Sequence, residues 1–266
     1  MLLFPPAKIN LGLRILGKRE DGFHDIETCM IPVPINDILE IHKSNHFEFI
    51  QTGLKIDSPA DENLCVLAFQ LMKDRYETGN VSIHLRKEIP MGAGLGGGSA
   101  DATFVLRGMN KLFDLNLTDD ILENLAAELG SDCPFFVKDV IQIAQGRGEK
   151  LSALDLDLSG CFVHIVNPGI HVSTAEAYSG AKINSKGDSL SGLIKSPVKN
   201  WKSTIHNGFE SSVFKQHPEL EVLKKQMFEN GAFYASMTGS GSTIYGLYKT
   251  EPAKLEIAHY QKIVEL

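Results

Sequence analysis

Near the start of the chain, Ile9, Leu11, Leu13 and Ile15 alternate with Lys8, Asn10, Gly12 and Arg14. That is the two-residue period of a half-buried strand. It sets Lys8 and Asn10 on one side, away from the aliphatic row. A turn-rich stretch from Gly17 to Gly22 follows. Leu39 and Ile41, then Phe47 and Phe49, alternate on either side of Lys43-Ser44-Asn45, which predicts an antiparallel hairpin. A helix is predicted from just after Ser58-Pro59 to about Tyr76, and Val81, Ile83 and Leu85 mark another strand. Beyond a run of glycines, Ala102, Val105, Leu106, Met109, Leu112 and Phe113 recur at helical spacing. Thr118 is a suitable N-cap for a further helix through Leu122, Leu125 and Leu129, with a stop at Gly130.

The composition changes after Glu149. Residues 182–203 are rich in Ser, Gly and Lys with little periodicity, and read as a mobile connection. Pro218 opens a helix that ends near Asn230-Gly231. The turn Thr238-Gly239-Ser240-Gly241-Ser242 then leads into a strand over 243–248. Helices mixed with antiparallel strands predict an α+β fold. The expected domains are 1–150 and 151–266.

With 43 % hydrophobic and 22 % charged residues in a chain of 266, the composition is that of a globular protein. No apolar run approaches the roughly 18 residues of a membrane span. The opening Met-Leu-Leu-Phe-Pro-Pro lacks a basic region, so no secretory signal is expected. The four cysteines are scattered, with no Cys-x-x-Cys pair, and read as reduced thiols of a cytoplasmic protein rather than metal ligands. A net charge of −7 argues against nucleic-acid or anionic-membrane partners. An anionic substrate would then depend on a few well-placed donors.

Those donors are offered by Pro90-Met91-Gly92-Ala93-Gly94-Leu95-Gly96-Gly97-Gly98-Ser99-Ala100, which runs straight onto a helix. Glycines let successive backbone N–H groups converge on one anion, and the helix start adds unpaired donors and a positive dipole end. Ser99 can donate to a phosphate or help order Mg2+. Gly92-x-Gly94-x-x-Gly97 also fits the dinucleotide fingerprint, but that motif follows the first strand of a βαβ unit, and here several elements and Pro90 come before it. A Walker loop would close on Gly-Lys-Ser/Thr, which is absent. A plain surface turn has no need of five glycines leading onto a patterned helix. Phosphate binding is the reading that remains, with the lysine supplied from elsewhere in the chain.

The loop resembles the nucleotide-binding motif of the GHMP kinases. Pro6-Ala7-Lys8-Ile9-Asn10-Leu11 resembles the family's first motif and Met237-Thr238-Gly239-Ser240-Gly241-Ser242 its third, in the family's order. Asp21-Gly22-Phe23-His24, Gly130-Ser131-Asp132-Cys133-Pro134-Phe135-Phe136 and Gly146-Arg147-Gly148-Glu149 point to the branch that acts on an isoprenoid precursor. The resemblance implies a ribosomal-S5-like N-terminal domain and a ferredoxin-like C-terminal domain. It implies ATP and Mg2+ as cofactors, and phosphorylation of a hydroxyl on a small molecule carrying a cytidine diphosphate group. Asn207-Gly208-Phe209-Glu210 has glycine where the family commonly has an acidic residue, so no chemistry is assigned there.

By residue type alone Asp132 is a cap or turn residue, Lys8 a solvated strand lysine and Asn10 a structural amide. Phe23, His24 and Tyr178 are surface aromatics and an exposed imidazole. The resemblance makes Asp132 the general base, Lys8 its cationic partner and Asn10 a substrate contact. It places Phe23 and Tyr178, expected from different lobes, with His24 around a cytosine ring. A homoserine- or mevalonate-type kinase, an inactive GHMP-like binding module and a nicotinamide oxidoreductase remain as alternatives.

Overall fold

In the computed structural model, which describes residues 1–55, 59–184, 187–256 and 259–266, the short β1 (Leu2–Leu3) precedes two long strands, β2 (Pro6–Lys18) and β3 (His24–Asn36). They are followed by β4 (Ile38–Lys43), β5 (Glu48–Gly53), α1 (Leu64–Tyr76), β6 (Val81–Lys87), α2 (Gly97–Leu112) and α3 (Asp119–Leu129). A 3-10 helix, Cys133–Val137, leads to β7 (Gln142–Gly146), β8 (Lys150–Ala153) and β9 (Phe162–Asn167). The rest comprises α4 (Thr174–Ser179), α5 (Leu190–Ile194), α6 (Trp201–Thr204), α7 (Glu210–Gln216), α8 (Pro218–Glu229), β10 (Tyr234–Met237), β11 (Ile244–Tyr248) and β12 (Tyr260–Glu265). Helices and sheets mix as the α+β class requires. Ser58, at the expected start of the first helix, lies outside the described residues.

The chain forms two compact units that are not consecutive halves. One holds residues 1–7, 35–91 and 96–139; the other holds 8–34, 92–95 and 140–266. The expected break at residue 150 follows the order of the sequence, whereas compactness groups β2 and most of β3 with the later strands.

In the first unit the sheet order is β1-β4-β6-β5. The expected hairpin is corrected here: β4 pairs antiparallel and β5 parallel with β6, which lies between them. Val81, Ile83 and Leu85 of β6 are buried, while β5 keeps alternate residues open to solvent. The more apolar strand therefore takes the centre, and the four-residue link between β4 and β5 spans it. Helices α1 and α3 and the 3-10 helix pack on α2. Asn63 caps α1, its side chain accepting from Cys65 N at 2.9 Å.

The second unit contains the sheets β2-β3-β7-β8 and β10-β11-β9-β12. Its core joins Leu13 and Ile15 of β2 to Val166, Phe209, Val213, Leu223, Met227 and Ile244. Strand β2 is not half-buried as its alternation predicts, because Lys8 and Asn10 on the polar side are also enclosed. The segment read as a featureless connection holds α5, a 3-10 turn and α6, anchored by buried Leu190, Ile194 and Trp201. The Trp201 indole donates to Ile194 O at 3.1 Å. These helices are too short for periodicity to show.

Candidate active site

Within the second unit, a lysine and an amide two residues apart on a strand share a face. Lys8 and Asn10 are 3 % and 1 % exposed, so each must find partners inside the protein. Lys8 Nζ donates to Asn10 Oδ1 at 2.6 Å, and Asn10 Nδ2 donates to Thr28 Oγ1 at 3.0 Å. Thr238 Oγ1 accepts from Asn10 N at 3.1 Å, and its proton has two acceptors in reach, Asn10 Oδ1 and Gly94 O, each at 3.1 Å. Lys8 N donates to Leu95 O at 2.8 Å, and Tyr245 donates to Asn10 O at 2.8 Å.

The opening motif, the first part of the glycine loop and the late glycine turn thus meet around Lys8. The meeting is close enough to dictate residue type. Gly94 has φ +77°, and a Cβ there would lie 2.2 Å from Thr238 O. Gly239 has φ +56°, and a Cβ on it would lie 3.2 Å from Gly94 Cα and 3.6 Å from Lys8 Nζ.

Two residues without assigned chemistry hold this turn in place. Asn207 Nδ2 donates to Met237 O and Gly239 O, both at 2.8 Å. Glu210 Oε1 accepts from Ser236 Oγ at 3.0 Å and Met237 N at 2.8 Å, while its other oxygen takes Lys224 Nζ at 2.6 Å. Sequence reasoning set Asn207-Gly208-Phe209-Glu210 aside because its glycine departs from the family pattern. The residues flanking that glycine carry the support. Thr238 lies within the third motif, and a hydroxyl beginning a Gly-x-Gly turn is the sequence signal of this bridging position.

In the first unit, Pro90 and the half-exposed Met91 lead from β6 toward α2. Gly96, at φ +72°, is the N-cap of α2 and brings no side chain to the first-turn N–H groups of Gly97, Gly98 and Ser99. Those donors and the helix dipole are the elements of an anion site. Thr103 Oγ1, with acceptors at Ser99 O (2.9 Å) and Cys133 O (2.8 Å), ties the first turns of α2 to the 3-10 helix. Asp132 immediately precedes that helix, in helical backbone geometry at φ −86°.

Beneath the start of α2 lies a charged cluster that sequence reasoning missed. Lys87 Nζ donates to Asp37 Oδ2 and, at 2.7 Å, to Asp101 Oδ2. Burial opposes the charge on Lys87, but Asp101 and Asp37 together outweigh it and raise its pKa. Burial pushes Asp101 up to about 8 against the pull of Lys87.

The aromatic residues of the proposed cytosine site all belong to the second unit, so Phe23 and Tyr178 do not come from different lobes. The His24 and Tyr178 rings stack with centroids 4.5 Å apart, and Phe209 meets Tyr178 edge-on at 4.7 Å. Phe23 is 50 % exposed with the Arg147 guanidinium 4.9 Å from its centroid. Its turn is braced by Arg19, which pairs with Asp21 at 3.0 Å and Asp25 at 2.8 Å. A separate groove, with Lys202, Phe214, Lys215 and Phe228 among its lining residues, touches the motifs only through Asn207 and Glu210 behind the turn.

Comparison with known proteins gives consistent results. The family "GHMP kinases N terminal domain" matches residues 63–139, and "GHMP kinases C terminal" matches 186–261. A Cytophaga hutchinsonii protein named 4-diphosphocytidyl-2-C-methyl-D-erythritol kinase is 44 % identical over 253 residues, covering 95 % of this chain and 94 % of the relative. A Bacteroides fragilis protein of the same name is 46 % identical over 255 residues, covering 94 % and 93 %. A crystal structure of 4-(cytidine 5'-diphospho)-2C-methyl-D-erythritol kinase superposes with a TM-score of 0.81 at 32 % identity, covering 94 % of this chain and 91 % of that one. A homoserine kinase from Cytophaga hutchinsonii shares the fold, with a TM-score of 0.67 at 18 % identity over 94 % of this chain and 85 % of that one.

Proposed function

The chain belongs to the GHMP kinases, within the group of 4-diphosphocytidyl-2-C-methyl-D-erythritol kinases formed by its relatives, and from that membership we propose the reaction it carries out. It transfers the γ-phosphoryl of ATP to the 2-hydroxyl of 4-diphosphocytidyl-2-C-methyl-D-erythritol, a step of non-mevalonate isoprenoid precursor synthesis. The observation that carries this reading is the convergence on Lys8 of motifs lying as far as 228 residues apart, in a chain 44 % identical to such an enzyme.

The roles of the residues are part of the proposal. First-turn N–H groups of α2 hold phosphate oxygens of ATP, and Pro90 to Leu95 complete the loop. The cradle fits such a group: Gly96 leaves the N–H groups uncovered, and Ala100 follows without side-chain bulk. Ser99 is the hydroxyl that would help hold Mg2+ brought with the nucleotide, and that ion would offset the phosphate charge. Asp132 orients the acceptor hydroxyl and takes its proton late, as a loose phosphoryl-transfer transition state demands. Lys8 places positive charge where the acceptor oxygen develops its own, and Asn10 fixes Lys8 and contacts substrate. Phe23, His24 and Tyr178 hold the cytosine. Stacking supplies affinity for any base, so identity comes from hydrogen bonds along the ring edge.

The cytoplasmic location expected from the sequence stays in the reading. It is supported by four unpaired, buried cysteines, of which burial pushes Cys29 and Cys133 up to about 12. The sequence domains 1–150 and 151–266 are likewise proposed.

A coupled ADP-release assay tests the function. The cytidine diphosphate substrate should turn over, its uridine analogue should be clearly poorer, and homoserine, mevalonate and galactose should be inert. Equal rates with cytidine and uridine analogues would remove the base-recognition site. Preference for homoserine or mevalonate would leave only the superfamily assignment.

A further inference from the structure

The side-chain amide of Asn10 can sit in two orientations that differ by exchange of its oxygen and nitrogen. An ammonium group accepts one of them: facing Lys8, the oxygen takes a hydrogen bond, whereas the nitrogen would set donor against donor. In the second unit Asn10 Oδ1 lies 2.6 Å from Lys8 Nζ and 3.1 Å from Thr238 Oγ1, and Nδ2 donates to Thr28 Oγ1 at 3.0 Å. Lys8 favours this orientation from one end of the amide. The other end belongs to Thr28 on β3, a residue that none of the motifs singles out.

A hydroxyl has one proton to give. Thr28 Oγ1 donates its proton to Gly12 O at 2.6 Å, so toward Asn10 it acts as an acceptor. Gly12 offers that carbonyl from an irregular point in β2, because a left-handed residue inside a strand turns its peptide groups out of the regular ladder. The irregularity requires glycine. Its φ is +74°, and a Cβ there would lie 2.7 Å from Ile205 Cγ2 and 2.8 Å from Leu190 Cδ1. Thr28 and Asn10 are 0 % and 1 % exposed, so water offers neither a substitute partner. The hydrogen bonds therefore run with a single polarity, from Lys8 to Asn10, from Asn10 to Thr28 and from Thr28 to Gly12.

We propose that Thr28 is a positioning residue for phosphoryl transfer: with its proton committed to Gly12 O, it holds the Asn10 amide so that Oδ1 faces Lys8. The inference rests on the role given to Lys8 above. A lysine ammonium is a point charge on a flexible four-carbon stem, and a fixed acceptor is what confines it to one place. Without the Thr28 oxygen, Asn10 Nδ2 is a buried donor that has lost its acceptor, and the amide turns toward other partners. Lys8 then loses the oxygen that fixes its position. The first-turn N–H groups of α2 take no part in these hydrogen bonds, so the effect falls on turnover and not on nucleotide affinity.

The test compares Thr28→Val, which keeps the shape of the side chain and loses the hydroxyl, with Thr28→Ser, which keeps the hydroxyl. In the ADP-release assay with the cytidine diphosphate substrate, Thr28→Val should lower kcat about ten- to a hundredfold. Its affinity for a non-hydrolysable ATP analogue, by calorimetry, should stay within about twofold, and Thr28→Ser should keep kcat within about threefold of the wild type. Because Thr28 acts through Asn10, adding Thr28→Val to Asn10→Ala should cost less than about twofold more. Three results overturn the proposal: Thr28→Val turning over as the wild type does, Thr28→Ser losing as much as Thr28→Val, or Thr28→Val compounding fully with Asn10→Ala. A wild type that does not turn over the substrate would remove the functional reading instead. The orientation itself is then decided by NMR of the protein with 15N-labelled asparagine, the Asn10 side-chain signal being assigned by its loss in Asn10→Ala. Thr28→Val should move that signal more than any other asparagine side-chain amide, and an unmoved signal overturns the proposal.

Discussion

Neighbouring glycines in one loop differ in what they tolerate, because each meets different atoms. At Gly94 both backbone and space forbid a side chain, with φ +77° and Thr238 O 2.2 Å from any Cβ. At Gly98, within α2, the nearest atom to a Cβ would be Met91 Cε at 3.5 Å, an ordinary contact with a flexible side chain. Gly94→Ala should therefore cost about 1–3 kcal/mol of stability and at least about tenfold in ATP affinity. Gly98→Ala should be neutral or slightly stabilising, since alanine suits a helix better by roughly 1 kcal/mol. Urea melts and nucleotide titrations of the two variants check this, and equal damage from both would remove the link between loop geometry and Thr238. The motif was plain in the sequence, but which glycine is irreplaceable was not, because the obstructing atom lies well over a hundred residues away.

Strands and helices long enough to show a period were legible. Alternation marked β2 and β6, and 3.6-residue spacing marked α2 and α3. What periodicity lacks is pairing. The pattern of β4 and β5 says nothing about β6 slipping between them, and a single polar row on β2 looks the same whether it faces water or a buried network. The short helices α5 and α6 escaped for the same reason: Leu190, Ile194 and Trp201 fix them through packing rather than through repetition. The start of α7 shows how such local support matters. Asn207 is buried and gives both amide hydrogens to the turn after β10, so Asn207→Ala takes a partner from Gly239 O and Phe209 N and leaves Met237 O with Ser236 Oγ at 3.2 Å. A loss of about 2–4 kcal/mol is expected, together with a fall in kcat, read from denaturant melts and the ADP-release assay. Unchanged activity in a folded variant would show that the turn keeps its shape without this support.

At the scale of the whole molecule, the order of residues and the order of packing differ. The second unit takes β2, most of β3 and residues 92–95 from early in the chain and the remainder from residue 140 onward. The fragment 151–266 should therefore show no cooperative thermal transition, because it lacks β2, whose Leu13 and Ile15 belong to its core. A sharp melt by circular dichroism would overturn that expectation. The site was legible as three motifs in family order; that they close on one lysine follows only from this weaving. The same weaving fixes a timetable during synthesis. Asn10 leaves the ribosome 228 residues before its partner Thr238, a delay of about ten to fifty seconds at ordinary elongation rates. Throughout that interval the core that covers Leu13 and Ile15 of β2 is incomplete, since Ile244 belongs to it, so the nascent chain is a natural client for the chaperones that shelter exposed apolar segments at the exit tunnel.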